Sequence, residues 1–380
     1  MKRTRICLFT AHSPLFGGGG AVLRSLIAHL PEIDVAWHYT EERPAQGYES
    51  GYLGRGVMGG NLLKDLGITW SLLNQQQVPA LDALIQQLLR IHCDGYWIVS
   101  HNEGLRVALE LARLGKQVHL SVHDDWAAAL CARSFRYRLM GRAADRLTRA
   151  TLREVPGFDV ISEGMRAYYQ QLSGRPGEVC HRYLPEGSIR SPLPRVKDGL
   201  TAGHIGSIYD KKDFVSFLTL FKDFARRRNR QATVHLWGCH LTPDDMPEAL
   251  RPHVQFHETL PEEVVVAQLA DCDILYAMYP TSKALHRFSQ TSLPTKLTSY
   301  LQATRPVFGH GPADSTLSQF LEATGTGAMW TGTDADAGFA ALEKALETEP
   351  SHGTWLAARD HYFGEKNLMV MRRAFNARLL

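Results

Sequence analysis

The sequence is poor in cysteine, in charge of one sign and in long apolar runs, and each shortage excludes something. Six cysteines in 380 residues form no C-x-x-C pair. That density is too low for a disulfide scaffold, so free thiols in a reducing cytoplasm are expected. Seventeen histidines include no H-x-x-x-H pair beside a carboxylate on an expected helix, so no metal site is expected. No run of about 18 apolar residues occurs, which excludes a membrane-spanning helix. The first apolar stretch runs into Gly17-Gly18-Gly19-Gly20 without an A-x-A site, and no signal peptide is expected. The formal net charge of +3 demands no nucleic-acid partner.

What is present is ordinary globular material, 44% hydrophobic and 21% charged, which excludes disorder of the whole chain. Short apolar runs alternate with helical stretches. Strands are expected at 6–10, 35–39, 96–100, 117–122 and 160–162, with helices at 21–30, 61–66, 81–91, 104–114 and 164–172. Brief, wholly apolar strands between helices indicate a parallel sheet covered on both faces. The stretch 184–200 has three prolines and no periodicity, and it reads as a linker. The alternation then restarts: strands at 201–205, 233–237, 254–256, 274–277 and 307–308, helices at 214–226, 262–269, 296–302 and 337–347, and a final helical stretch at 361–380. The fold class is therefore α/β, with two doubly wound Rossmann-like domains. Their expected extents are 1–185 and 201–355, joined by a linker at 186–200, with 356–380 able to pack back on the first domain.

Ligands of open α/β sheets bind beyond the carboxyl ends of the strands. After the first strand stand His12 and the glycine run, where backbone N–H groups can approach a phosphate. The spacing is neither G-x-G-x-x-G nor a P-loop, and a plain loop is the alternative. After later strands come His101-Asn102-Glu103 and His123-Asp124-Asp125. A histidine there can bond a sugar hydroxyl or carry a proton; helix capping is the plain reading. Seven arginines fall within 133–153, and Arg138, Arg142, Arg146, Arg149 and Arg153 share one helical stripe. Such a stripe is either a solvated helix face or a patch for an anionic acceptor or acidic lipid headgroups. In the second half, Gly206-Ser207-Ile208-Tyr209-Asp210-Lys211-Lys212 follows a strand, Gly238 ends another, and Ser292-Leu293-Pro294-Thr295-Lys296 opens a helix. A lysine there can neutralise a diphosphate leaving group.

The order of these features resembles the GT-B glycosyltransferases, and among them the retaining group typed as family 4. The N-terminal marks are Gly17–Gly20, His123-Asp124 and Val160-Ile161-Ser162-Glu163-Gly164-Met165. The C-terminal marks are Gly206 to Lys212, the run from Val254 through Asp273 to Pro280, and the block from Ser292 to Val307. The resemblance implies two lobes facing across a cleft. It also implies a nucleoside-diphosphate sugar held mainly by the second lobe and a hydroxyl-bearing acceptor (glycan, lipid-linked or small molecule) held mainly by the first. No metal and no cofactor beyond the co-substrate are implied. Carried over by position, His123 and Lys212 become catalytic. Gly18, Gly19, Gly206, Ser207, Lys211, Gly238, Thr295, Lys296 and Ser299 bind the donor. His12, His101, Asn102 and Asp124 bind the acceptor. The family's usual diphosphate arginine is replaced by Ser207, which Lys211 or Arg287 could offset, and its paired glutamates are replaced by Thr291 and Ser299.

Two rival functions follow. A nucleotide-sugar epimerase on the same fold needs acid–base carboxylates, for which Glu103, Asp124, Asp125 and Glu163 are the candidates. A non-catalytic sugar- or partner-binding protein would account for the missing glutamates. The expected location is cytoplasmic, with peripheral contact to the inner membrane face through Arg138 to Arg153.

Overall fold

The computed structural model describes residues 3–376 except 16, 59–60 and 192–198. It contains two compact units, 1–183 with 365–380, and 184–364. The expected linker thus lies partly outside the described residues.

In the first unit, strands β1 (Thr4–Thr10), β2 (Ile33–Tyr39), β3 (Gly95–Val99), β4 (Val118–Val122), β5 (Gly157–Val160) and β6 (Glu178–Val179) alternate with helices. The helices are α1 (Gly17–Ala28), α2 (Leu62–Leu73), α3 (Pro79–Leu89), α4 (Gly104–Arg113), α5 (Trp126–Arg133), α6 (Gly141–Glu154) and α7 (Glu163–Ser173). The sheet order is β2-β1-β3-β4-β5-β6, parallel throughout. Every residue of β3 and β4 is buried, as a sheet covered on both faces requires.

The second unit holds β7 (Leu200–Ile205), α8 (Lys211–Arg227), β8 (Ala232–Trp237), β9 (Val254–His257), α9 (Glu262–Leu269), β10 (Ile274–Met278), α10 (His286–Thr291) and α11 (Lys296–Ala303). It continues through β11 (Val307–His310), α12 (Thr316–Thr324), β12 (Gly327–Trp330), α13 (Ala335–Glu347) and α14 (His352–Phe363). Its parallel sheet runs β12-β11-β10-β7-β8-β9. Each order reverses direction once, beside β1 and β3 in the first unit and beside β7 and β10 in the second. Those two switch points are where an open sheet offers a crevice for ligand. The expected class, two doubly wound α/β domains, is therefore what the chain builds.

Several local expectations shift. The strand expected at 160–162 is β5 at Gly157–Val160, because Ser162 leaves the sheet to cap α7, its hydroxyl accepting from the Met165 N–H at 2.9 Å. The glycine run does not precede α1 but forms its first turn. The final helix breaks at Gly364 into α14 and α15 (Lys366–Asn376). That break divides the C-terminal stretch: α14 belongs to the second unit and α15 to the first. There the Asn367 side chain accepts from the His181 N–H at 2.7 Å, and Phe375 packs on Trp97 with ring centroids 5.4 Å apart.

Candidate functional site

Each switch point carries its own polar cluster. In the first unit β1 hands the chain to His12, β3 to His101 and Asn102, and β4 to His123 and Asp124. These residues converge because parallel strands end on the same side of their sheet. A cavity of about 140 Å³ is lined by Gly18, Gly19, His12, His101, His123 and Asp124. A second, of about 220 Å³, shares His12, His101 and Asp124 and adds Asn102, Trp126 and Arg133.

The rings form a row, with centroids of His12 and His101 5.6 Å apart and those of His101 and His123 5.9 Å apart. Burial, seconded by the neighbouring His101, pulls both His12 and His123 down to a pKa of about 4. Both are neutral at pH 7, so each ring offers one donor and one acceptor. The Asp124 carboxylate lies 3.2 Å from His101 Nε2. Buried His123 Nδ1 has no hydrogen-bond partner among the described residues. An unmet buried nitrogen is costly unless a ligand meets it. Asn102 holds a left-handed φ of 47°, an uncommon conformation that turns the chain directly after β3.

Gly19 lies against this row: a Cβ there would fall 3.2 Å from His123 Nδ1 and 3.4 Å from His101 Cε1. Gly19→Val should therefore displace both rings. Turnover should drop on the order of 100-fold for a displacement near 1 Å, with cooperative melting retained. Parallel kinetics and thermal melts check this, and unchanged turnover would show that the glycine contact is incidental.

The four candidate carboxylates separate. Asp124 alone lines the cavities. Asp125 caps α5 by accepting the Ala128 N–H at 2.8 Å, and it also accepts the Tyr169 hydroxyl. Glu103 is buried, its pKa raised by desolvation, and it holds Thr40 Oγ1 at 3.0 Å and the Val57 N–H at 3.1 Å. Glu163 pairs with Arg166 on the exposed face of α7.

In the second unit, β7 ends at Ile205 and is followed by Gly206, whose φ of +78° suits glycine, and Ser207. Lys296, first residue of α11, reaches back to this turn. Its Nζ lies 3.0 Å from the Ser207 carbonyl oxygen and 3.1 Å from His204 Nε2. His204 Nδ1 faces the Tyr276 carbonyl at 2.8 Å, so Nδ1 carries the proton and Nε2 accepts from lysine. Burial and the adjacent Lys296 hold His204 down at about 3. Lys296 is half-buried, and desolvation lowers its pKa to about 7. No carboxylate pairs with it among the described residues, and its Nζ stands 5.4 Å from the centre of the Tyr209 ring.

The remaining expected donor residues lie around the same sheet end. Asp210 caps α8 by accepting the N–H groups of Lys212 at 2.8 Å and Asp213 at 3.1 Å. Lys211 is engaged by Asp245 at 3.1 Å, whereas Lys212 is exposed with no ion pair among the described residues. Lys296, not Lys211, thus brings a cation to Ser207. Gly238 follows β8 with φ +58°. Thr295 stands before α11 in helical geometry. Ser299, one turn into α11, donates its hydroxyl to Glu262 Oε1 of α9 at 2.9 Å, so a carboxylate does sit at this position, supplied from another helix. Thr291 Oγ1 donates to the Arg287 carbonyl. Sequence reasoning missed His204 and Glu262. A histidine inside an otherwise apolar strand was the available signal for the first; the second had none. Among the described residues no group of three His, Cys, Asp or Glu side chains is placed to hold a metal ion.

Two Rossmann-like units in tandem, each with a polar cluster at its switch point, define the GT-B architecture. The chain has the fold of the GT-B glycosyltransferases: solved structures of that group align with it over nearly the whole chain. A sucrose-phosphate synthase from Thermosynechococcus elongatus is 13% identical with a TM-score of 0.69, covering 99% of both chains. WaaG, a glycosyltransferase involved in lipopolysaccharide biosynthesis, is 14% identical at TM-score 0.64, covering 98% of this chain and 99% of its own. A chain described as trehalose-6-phosphate from E. coli bound with UDP-2-fluoro glucose is 11% identical at TM-score 0.60, over 98% of this chain and 97% of its own. No protein-family model and no curated protein matches the sequence.

Proposed function

We propose that the protein transfers a glycosyl group from a nucleoside-diphosphate sugar to an acceptor hydroxyl, with retention of anomeric configuration and without a metal ion. The observation that carries this reading is Lys296: a desolvated ammonium at the β7–β10 switch point, bonded only to neutral groups, awaiting an anion. A diphosphate supplies that charge. As the bond from the anomeric carbon to phosphate oxygen breaks, its electron pair leaves with the diphosphate, where Lys296, Lys212 and backbone N–H groups meet it. The acceptor oxygen bonds to the same carbon from the same face, and its proton passes to the departing phosphate oxygen. His123 bonds the donor sugar, Gly18 and Gly19 approach the diphosphate, and His12, His101, Asn102 and Asp124 orient the acceptor.

The distribution of carboxylates favours transfer over epimerisation. Proton removal and return on a sugar call for paired acid and base, and three of the four candidates are committed to caps, loops or surface pairs. Thermal shift with nucleoside diphosphates tests the donor site. A ligand at 100 times its Kd should add about 2.7 kcal/mol, raising the melting point of a unit this size by about 5–10 °C. With EDTA present, a hydroxyl acceptor should release free nucleoside diphosphate. An isomerised sugar nucleotide of unchanged mass would favour epimerase, and binding without turnover a non-catalytic role. Peripheral contact with the inner face of a membrane, through the outer arginines of the 138–153 stretch, belongs to the same reading.

A further inference from the structure

All five arginines of the stripe are exposed, but they are not equally free. Arg149 Nε donates to the Leu172 carbonyl and Arg153 Nε to the Ser173 carbonyl, so both close the end of α7. Arg138 and Arg142, also exposed, stand beside something the sequence pattern did not single out.

After α5 the chain extends at Ser134 and winds a single 3₁₀ segment, Phe135–Met140. With three residues per turn, Tyr137 and Met140 point inward together, which forces Phe135, Arg136, Arg138 and Leu139 outward. Phe135 is 70% exposed and Leu139 89%. The Tyr137 hydroxyl bonds Asp65 of α2, and Arg133 lies 3.6 Å from the same carboxylate, which clamps α2 alongside. α2 presents Leu62, Trp70 and Leu63, the last 81% exposed. Five of the eleven exposed large hydrophobics among the described residues therefore sit on two clamped elements. The rim is basic: Lys64, Arg133, Arg136, Arg138, Arg142 and Arg146 are all exposed. Of the acids on α2, the 135–140 segment and the first two turns of α6, Asp65 is taken up in the clamp and Asp145 bonds Tyr168; Glu154 stands exposed at the far end of α6.

We propose that the crest formed by α2 and the 135–140 segment docks on an anionic phospholipid bilayer, with Phe135, Leu139 and Leu63 entering the headgroup–acyl boundary. Apolar tips that enter the interface, ringed by arginines that meet acidic headgroups, combine the two attractions that hold peripheral proteins to membranes. A second copy of the chain fits worse, because a two-fold contact would set each arginine cluster against its own image. Arg133 belongs both to the crest and to the 220 Å³ cavity with His12 and His101. On the transfer reading above, that cavity then takes its acceptor from the lipid surface. The docking deepens the membrane contact included in that reading, but it rests on the exposed apolar tips and arginines and not on the transfer chemistry.

The test is flotation of the full-length protein with vesicles of pure phosphatidylcholine and with vesicles containing about one third phosphatidylglycerol. The protein should float with the anionic vesicles only, and raised salt should release it. Phe135→Ser with Leu139→Ser, and separately Arg138→Gln with Arg142→Gln, should each cut the bound fraction about tenfold. All four side chains are exposed, so melting and the nucleotide-induced thermal shift should stay unchanged. A failed nucleotide shift with intact flotation would sink the donor site and leave the docking standing. The docking is overturned if the protein ignores anionic vesicles, if neither variant changes binding, or if the crest proves to hold a dimer or an acidic protein that Leu139→Ser releases.

Discussion

Lys296→Met should cost about 1,000-fold in turnover, roughly 4 kcal/mol of transition-state stabilisation, while the empty protein melts no lower. The asymmetry follows from the site. In the empty protein the ammonium is desolvated and bonded only to His204 and a carbonyl, so removing it removes a cost. With a diphosphate bound, the same charge is paired. The lysine pKa of about 7 adds a signature in pH. The folded pKa lies below the unfolded value, so the folded protein binds fewer protons from about pH 7 up to about 10.5. Over that window the stability of the wild-type empty protein should rise with pH; below pH 7 both states are protonated and the penalty is fully present. Diphosphate needs the charged form, so its affinity should fall as pH rises above 7, with proton uptake on binding. Calorimetry in buffers of different ionisation enthalpy reads that uptake. A variant that binds diphosphate as tightly as wild type, with the same pH profile, would remove Lys296 from the site.

Lys212→Ala should also lose most turnover, again on the order of 1,000-fold, with little change in melting. Lys212 is exposed on the first turn of α8 and has no ion pair among the described residues. Alanine is a good helix former, and the helix keeps its Asp210 cap. Lys211, one residue earlier, is engaged by Asp245, and Lys211→Ala should cost far less. Lys212→Arg should restore part of the rate, since charge rather than shape is needed. Steady-state kinetics beside thermal melts separate the outcomes: a lowered melting point in Lys212→Ala would make the lysine structural.

Much of the candidate site was legible because it hangs on strand ends. His12, His101 and His123 each follow an apolar run, and parallel pairing brings such positions to one edge whatever the loops do. The dispositions of Asp124 and Asp125 were not legible. Adjacent carboxylates look alike in sequence, yet one lines the cavities and the other spends itself on Ala128 and Tyr169. The partners of the arginine stripe were not legible for a related reason. Helical spacing shows which residues share a face but not what lies against it, and here the far end of the face closes another helix.

The alternation of short apolar runs with amphipathic stretches settled the α/β class, the two doubly wound units and the placing of polar residues after strands. Those are matters of period and local geometry, which one stretch of chain carries within itself. Tertiary structure alone decided that Lys296 meets His204 across 92 residues, that Ser299 finds its carboxylate 37 residues away on α9, and that α15 returns to the first unit. Such pairings depend on how elements distant in sequence pack, and no local preference encodes a partner that far along the chain.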